Sequence, residues 1–289
     1  MIYIKDLDDD ILSWILKFAD DAKIFSSVDT EDGFKNVQQD IDKFLDWSET
    51  WQMKFNINKC KVMHIGRHNS EQKYYMRGQL LESVKEAKDL GIWLSSDMKV
   101  SQQCSKACSK AYRMSGLIKR TIENKNKEVM LRLYKSLVHP HDDYCSSAWL
   151  PHYVKDKIQV EKVQRRFTKM IPGVRNHSYK SRLKKLHLWS LEERRNRSDI
   201  IEVFRMFKCI SAIPFETFFQ LDNNNRTRGH TAKIKKNRCR TDLRKHFFSE
   251  RVVNRWNSLK EHTIQANDII SFKRHLEKER NTRMDFFVD

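Results

Sequence analysis

Asp20 and Asp21 stand side by side between two short runs rich in aromatic and branched residues, Ser13-Trp14-Ile15-Leu16-Lys17-Phe18 and Ala22-Lys23-Ile24-Phe25. Runs of this kind, broken by two acids, read as two strands joined by a tight turn. Both carboxylates then project from the hairpin tip. Two like charges at one point repel, and a shared cation relieves the repulsion. Mg²⁺ suits such a place, because it typically takes one or two carboxylates and completes its octahedron with waters and substrate phosphates. The chemistry on offer is therefore phosphate handling at a Mg²⁺ site. The competing role for an Asp pair is a solvated turn.

The charge of the whole chain points the same way. Its 289 residues carry a formal net charge of +18, which implies a polyanionic partner. Residues 1–100 hold 14 Lys and Arg against 18 Asp and Glu, whereas residues 101–289 hold 42 against 20. An acidic part thus precedes a strongly basic one. Asp6, Asp8, Asp9 and Asp10 interrupt the first fifteen residues, so these form neither a secretory signal nor a membrane span. The six cysteines, Cys60, Cys104, Cys108, Cys145, Cys209 and Cys239, are too scattered for a disulfide framework. The expectation is an intracellular protein, nuclear or cytoplasmic, with reduced thiols and no membrane contact.

The elements that must position these residues follow from pattern. Phe34, Val37, Ile41, Phe44, Leu45 and Ser48 recur at three- and four-residue spacing after the capping candidates Asp29 and Thr30, which predicts a helix over 31–51. Gln52-Met53-Lys54-Phe55 and Lys61-Val62-Met63-His64-Ile65-Gly66 read as strands around the turn Asn56-Ile57-Asn58-Lys59. Tyr74-Tyr75-Met76, a turn at Arg77-Gly78, and Leu90-Gly91-Ile92-Trp93-Leu94 read as a further extended pair. This order is α+β. Beyond residue 100 few breakers occur and helices are predicted over 105–118, 127–138, 155–171 and 190–213. In the third of these Val160, Val163, Phe167 and Met170 form an apolar stripe opposite Lys162, Arg165, Arg166 and Lys169. One face packs and the other offers cations to a phosphate backbone.

A second basic stretch is irregular. Asp222-Asn223-Asn224-Asn225-Arg226-Thr227-Arg228-Gly229-His230 leads into Lys233, Lys235, Lys236, Arg238, Arg240, Arg244 and Lys245. It reads as a flexible linker over about 222–240, able to wrap RNA or DNA or to serve as a nuclear-import patch. Trp256, Leu259, Phe272 and Leu276 mark a last amphipathic segment expected to pack. Cys104 and Cys108 at i, i+4, with His139, His141 and Cys145 further on, do not have the spacing of a zinc knuckle or ribbon. Buried thiols are the expectation there.

Several ordered stretches carry a resemblance. Met1-Ile2-Tyr3-Ile4-Lys5-Asp6-Leu7, Phe18-Ala19-Asp20-Asp21, Trp51-Gln52-Met53-Lys54-Phe55-Asn56-Ile57-Asn58-Lys59-Cys60-Lys61-Val62-Met63 and Leu90-Gly91-Ile92 are joined by Leu133-Tyr134-Lys135-Ser136-Leu137-Val138-His139-Pro140, Trp149-Leu150-Pro151, Ile158-Gln159-Val160-Glu161-Lys162-Val163-Gln164-Arg165-Arg166-Phe167 and Tyr179-Lys180-Ser181-Arg182-Leu183. Leu191-Glu192-Glu193-Arg194-Arg195 and Phe247-Phe248-Ser249-Glu250-Arg251-Val252-Val253-Asn254-Arg255-Trp256-Asn257 extend the set. Together they resemble the reverse transcriptases of non-LTR (LINE, jockey-like) retrotransposons.

That resemblance implies a partial polymerase palm over 1–99, with short antiparallel strands plus one helix. A helical thumb-like region over 100–172 and a basic helical region over 173–289 would follow. It implies RNA-directed DNA synthesis with Mg²⁺ at Asp20 and Asp21, Lys59 near the triphosphate, and Leu90-Gly91-Ile92 in the primer grip. The partners would be RNA and DNA in a primer-template, held through backbone contacts by residues such as Lys162, Arg165, Arg166, Lys169, Lys235, Lys236, Arg238 and Arg240. The family's third carboxylate and its Gln-Gly loop would lie upstream of Met1. The expectation is therefore a fragment inactive by itself. Its alternatives are a non-catalytic, sequence-indifferent nucleic-acid-binding protein and a basic helical scaffold for protein partners.

Overall fold

Strand β1 (Trp14–Phe18) pairs antiparallel with β2 (Asp21–Phe25) in the computed structural model, which describes residues 4–66, 69–222 and 229–289. Phe18 lies opposite Asp21 and Trp14 opposite Phe25, so Ala19 and Asp20 alone form the turn. Ala19 takes φ 54°, a left-handed conformation that glycine adopts more readily. Helix α1 (Glu31–Thr50) starts where its cap predicts: the Thr30 side chain accepts from the Gly33 N–H. Gly33 is obligatory for a steric reason, since a Cβ there would lie 2.6 Å from the Ser27 carbonyl oxygen.

A buried acid ties helix to hairpin. Asp40 on α1 is fully buried, and its carboxylate accepts the N–H groups of Leu12 at 3.1 Å and Ser13 at 2.9 Å. The chain is thereby fixed just before β1 begins. Below, Ile41, Tyr74, Met76 and Leu81 form a small core with Ile24, Val37, Leu45 and Phe55 packed against it.

The remaining strands are short. β3 (Lys61–Val62) pairs parallel with β6 (Glu82–Ser83), β4 (Tyr75–Met76) pairs with β5 (Gln79–Leu80), and β7 (Glu86–Asp89) pairs with β8 (Ile92–Ser95). Among the described residues each sheet has two strands, and the four sheets are not joined. Three local readings change. Gln52 to Phe55 is not a strand, because Gln52 turns at φ 56° and Phe55 folds back onto the rings of Phe44 and Trp47, 6.1 and 6.4 Å away. The strand over 61–66 shrinks to two residues. Leu90 and Gly91, at φ 43° and 88°, form the turn of the last hairpin rather than a strand, as two-residue hairpin loops with positive φ at both positions do.

Beyond residue 100 the chain is helical. Helices α2 (Ser101–Thr121) and α3 (Lys127–Leu133) come first, and α3 runs through a π turn at Tyr134–Val138 into α4 (His139–Asp143). Next are α5 (Val154–Thr168), α6 (Tyr179–Leu186) and α7 (Leu191–Phe207). The short α8 (Asp242–Lys245), α9 (Phe248–Arg251), α10 (Val253–Asn257) and α11 (Glu261–Ile264) precede α12 (Ile269–Thr282). Helix is 49% of the structure and strand 10%, so the fold is α+β and mostly helical. Contacts divide it into 1–99 and 100–289.

Two cores organise the helical unit. Small buried residues of α2, Cys104, Ala107, Cys108 and Ala111, let it approach α5 closely, and the Cys108 thiol meets the Gln159 carbonyl at 3.7 Å. The second core joins α7 to the carboxy-terminal helices: Phe204 stacks on Phe272 at 3.9 Å and Trp256 is fully buried. Helix α7 ends at Phe207 rather than 213, because Cys209 turns at φ 53° and the Ile210 N–H reaches back to the Arg205 carbonyl.

The expected linker is also different. Met1 to Tyr3 and Asn223 to Arg228 lie outside the described residues, but the stretch after Gly229 is anchored. Ile234 exchanges hydrogen bonds with the Asn257 side chain at 2.8 Å each way, and Trp256 donates to the Ala232 carbonyl. His230, Ala232 and Ile234 are buried.

Replacing Asp40 by Ala strips two backbone N–H groups of their acceptor. The expected loss is about 1–3 kcal/mol of local stability, read in hydrogen exchange as faster deuteration of Leu12 and Ser13 and of β1, with 100–289 unchanged.

Candidate nucleic-acid interface

The acidic tip comes first in the chain. Asp20 sits in the two-residue turn and Asp21 opens β2; both are exposed, and neither carboxylate has a hydrogen-bond or ion-pair partner among the described residues. Lys59 closes a 3₁₀ turn at Ile57–Lys59 and is likewise exposed. Of the acids nearby in sequence, Asp8 is engaged by Lys17. Among the described residues no group of three or more His, Cys, Asp or Glu side chains could hold a metal ion. Two carboxylates on one turn, with no third ligand beside them, do not fit a complete Mg²⁺ cage.

The basic surface is better formed. On α5, Lys162, Arg165 and Arg166, with Lys169 immediately after the helix end, occupy i, i+3, i+4 and i+7 and are all exposed. Their face lies opposite buried Val160, Val163, Gln164 and Phe167. None of the four is in a salt bridge among the described residues, although Arg165 lies near enough to Glu161 to oppose the rise that burial gives its pKa. Arg165 lies over the Tyr179 ring at 4.8 Å, and Arg166 over the Tyr112 ring at 5.6 Å. Stacking of this kind restrains a guanidinium while leaving its N–H edge free for phosphate oxygens.

Tyr112 belongs to α2, so Arg166 reaches across to the neighbouring helix. There Lys110 and Arg113 are exposed without carboxylate partners among the described residues, and they face His141 closely enough to join burial in lowering its pKa. Sequence reasoning missed these two. Their signal was available: Lys106, Lys110 and Arg113 recur at i, i+4 and i+7, while the alternating small residues Ala107, Cys108 and Ala111 are buried. The outer faces of two helices packed side by side are thus both cationic.

No family model, curated protein or solved structure matches the chain.

Beneath the surface lies a polar scaffold. Buried Gln164 accepts from the Tyr134 hydroxyl at 2.7 Å and donates to the Tyr179 hydroxyl and the Trp189 carbonyl, each at 2.9 Å. Tyr179 in turn donates to Glu161, whose other oxygen accepts the Leu191 N–H. Arg195, nearly fully buried, lies over the Trp149 ring at 4.2 Å and donates to the Asp142 backbone carbonyl at 2.6 Å. Burial raises the Asp142 carboxyl to about 7 against the pull of Arg195. Burial lowers His139 to about 4 and pushes the thiols of Cys104 and Cys108 up to about 12. Those thiols are protonated core groups.

The second basic stretch presents Lys235, Lys236, Arg238 and Arg240, all exposed. They follow the anchored Ile234 and do not swing as a free arm from Gly229 onward.

Asp142 and His139 make opposite contributions to pH dependence. The raised Asp142 value gives stability that is full below its ordinary value of 3.8 and lost as pH rises through about 7. The depressed His139 value gives stability present above 6.5 and lost as pH falls through about 4. Asp142→Asn should therefore become more stable relative to the parent chain as pH goes from 4 to 8, by a few kcal/mol. Urea midpoints across that range measure it.

Proposed function

We propose that residues 100–289 bind nucleic acid through its phosphate backbone, in a chain derived from a non-LTR retrotransposon reverse transcriptase. The observation that carries the binding is the row of exposed cations on the outer face of α5, none of them in a salt bridge among the described residues, continued by Lys110 and Arg113 on α2. Exposed cations not held in salt bridges are available to release counterions from a polyanion. Arg165 and Arg166, held over tyrosines, suit phosphate oxygens, and nothing in the row is shaped to read base edges. Binding is then indifferent to sequence and steep in salt.

The ancestry rests on the ordered stretches around Asp20-Asp21, Trp51 to Met63 and the helices beyond. In that reading 1–99 is palm-like, α2 to α5 are thumb-like, and α6 to α12 form the basic region that follows. Asp20 and Asp21 would be its metal-binding pair and Lys59 its triphosphate-side cation. The described residues do not complete a Mg²⁺ cage, and the proposed role is binding to RNA or DNA.

Fluorescence anisotropy with a labelled duplex tests it. With about six phosphates neutralised, log K should fall against log salt with a slope of about −5. Arg165→Ala with Arg166→Ala should reduce the slope by about two, whereas Asp20→Ala should leave binding unchanged. Salt-independent binding, or an unchanged slope in the double variant, contradicts the proposal.

A further inference from the structure

We infer that Arg195 is a two-position side chain switched by Asp142. While the Asp142 carboxyl keeps its proton, the guanidinium rests on Trp149; once the proton leaves to solvent, it turns to pair with the carboxylate. Asp142 on α4 and Arg195 on α7 are both buried, and neither is in a salt bridge among the described residues. Nη2 of Arg195 donates to the backbone carbonyl of Asp142 at 2.6 Å, and the guanidinium carbon lies 4.2 Å from the centre of the Trp149 ring. Both carboxyl oxygens of Asp142 and the Nε of Arg195 meet no hydrogen-bond partner among the described residues. A cation and an acid thus stand beside each other with their matching groups unspent.

Burial explains the resting position. A fully buried carboxylate without a partner is costly, so the neutral acid is the form that this arrangement suits. Arg195 is held instead by the electron-rich face of Trp149 and by a carbonyl. Trp149 is itself fixed, since its Nε1–H donates to the Tyr144 carbonyl at 2.7 Å. Ionisation reverses the preference. A charge-assisted bond from guanidinium to carboxylate is roughly twice as strong as a neutral one. Arg195 already touches the backbone of the same residue, so the change is a side-chain rotation and the helices stay in place.

The groups around Asp142 set where the switch falls. Burial lifts its carboxyl to about 7; Arg195 opposes the rise, while Asp143 on the same helix and Glu161 on α5 add to it. Cys108 and Tyr112 of α2 and Tyr134 of the π turn lie near enough to feel its charge, and burial pushes their own values up, so they stay protonated. His139, lowered by burial to about 4, carries no proton near neutrality. The inference rests on these interior contacts and stands apart from the proposed nucleic-acid surface.

Nuclear magnetic resonance of the full chain, labelled with ¹⁵N-arginine and ¹³C-carboxyl aspartate, tests it. The Nε–H signal of Arg195, assigned by its contact with the Trp149 ring, should move downfield between pH 6 and pH 8 as ring shielding gives way to a carboxylate bond. The Asp142 carboxyl signal should titrate with it, with a midpoint near 7. In Asp142→Asn the Arg195 signal should hold its low-pH position throughout. In Asp143→Asn the titration should persist with a lower midpoint. An Arg195 signal that stays fixed while the Asp142 carboxyl titrates overturns the inference. So does an Asp142 carboxyl that does not titrate between those limits, or the same Arg195 movement in Asp142→Asn.

Discussion

Gln164 holds the cationic face of α5 in place. A buried amide has both donor and acceptor capacity to satisfy, and an unsatisfied one costs about 1–3 kcal/mol. Here the oxygen takes the Tyr134 hydroxyl, while the nitrogen serves both the Tyr179 hydroxyl and the Trp189 carbonyl. One side chain thus ties α5 to the π turn after α3, to the start of α6 and to the chain just before α7. Rotation of α5 about its axis would break all three bonds. With the inner face set in this way, Lys162, Arg165, Arg166 and Lys169 have no choice but the outer one, and Tyr179 stands where it can carry the Arg165 guanidinium.

The same coupling explains why polar groups are buried so densely here. Arg195, Glu161 and Tyr179 all lie within the helical unit, and each is matched to a ring, a carbonyl or a hydroxyl, whereas the buried Asp142 carboxyl has no hydrogen-bond partner among the described residues. Such networks specify a single arrangement of helices better than an apolar core of equal size would.

Parts of this were legible in the sequence for local reasons. The β1–β2 hairpin needs only its two flanking runs and a two-residue turn, and α1 needs only its period and the Thr30 cap; both form where expected. Positions set by a polar neighbouring strand or by distant partners were not legible. Leu90-Gly91 becomes a turn because Glu86 to Asp89 supplies a strand whose polar composition hides it. The stretch from Gly229 to Lys236 looks like a linker by composition, yet it is pinned by Asn257 and Trp256, more than twenty residues away. Lys110 and Arg113 escaped notice because the apolar stripe of α2 is written in Ala and Cys rather than in large residues. The acidic tip shows the converse limit: Asp20 and Asp21 were placed correctly on a turn, but a turn alone does not bring a third ligand.

Lysine reactivity footprinting of the full chain, with and without a short duplex at low salt, addresses the central claim most directly. Lys110, Lys162 and Lys169 should lose reactivity when the duplex is present, while Lys17 and Lys43 of the acidic unit keep theirs. Unchanged reactivity at Lys110, Lys162 and Lys169 in a chain that nonetheless binds the duplex would contradict the placement of the phosphate-binding surface on α2 and α5.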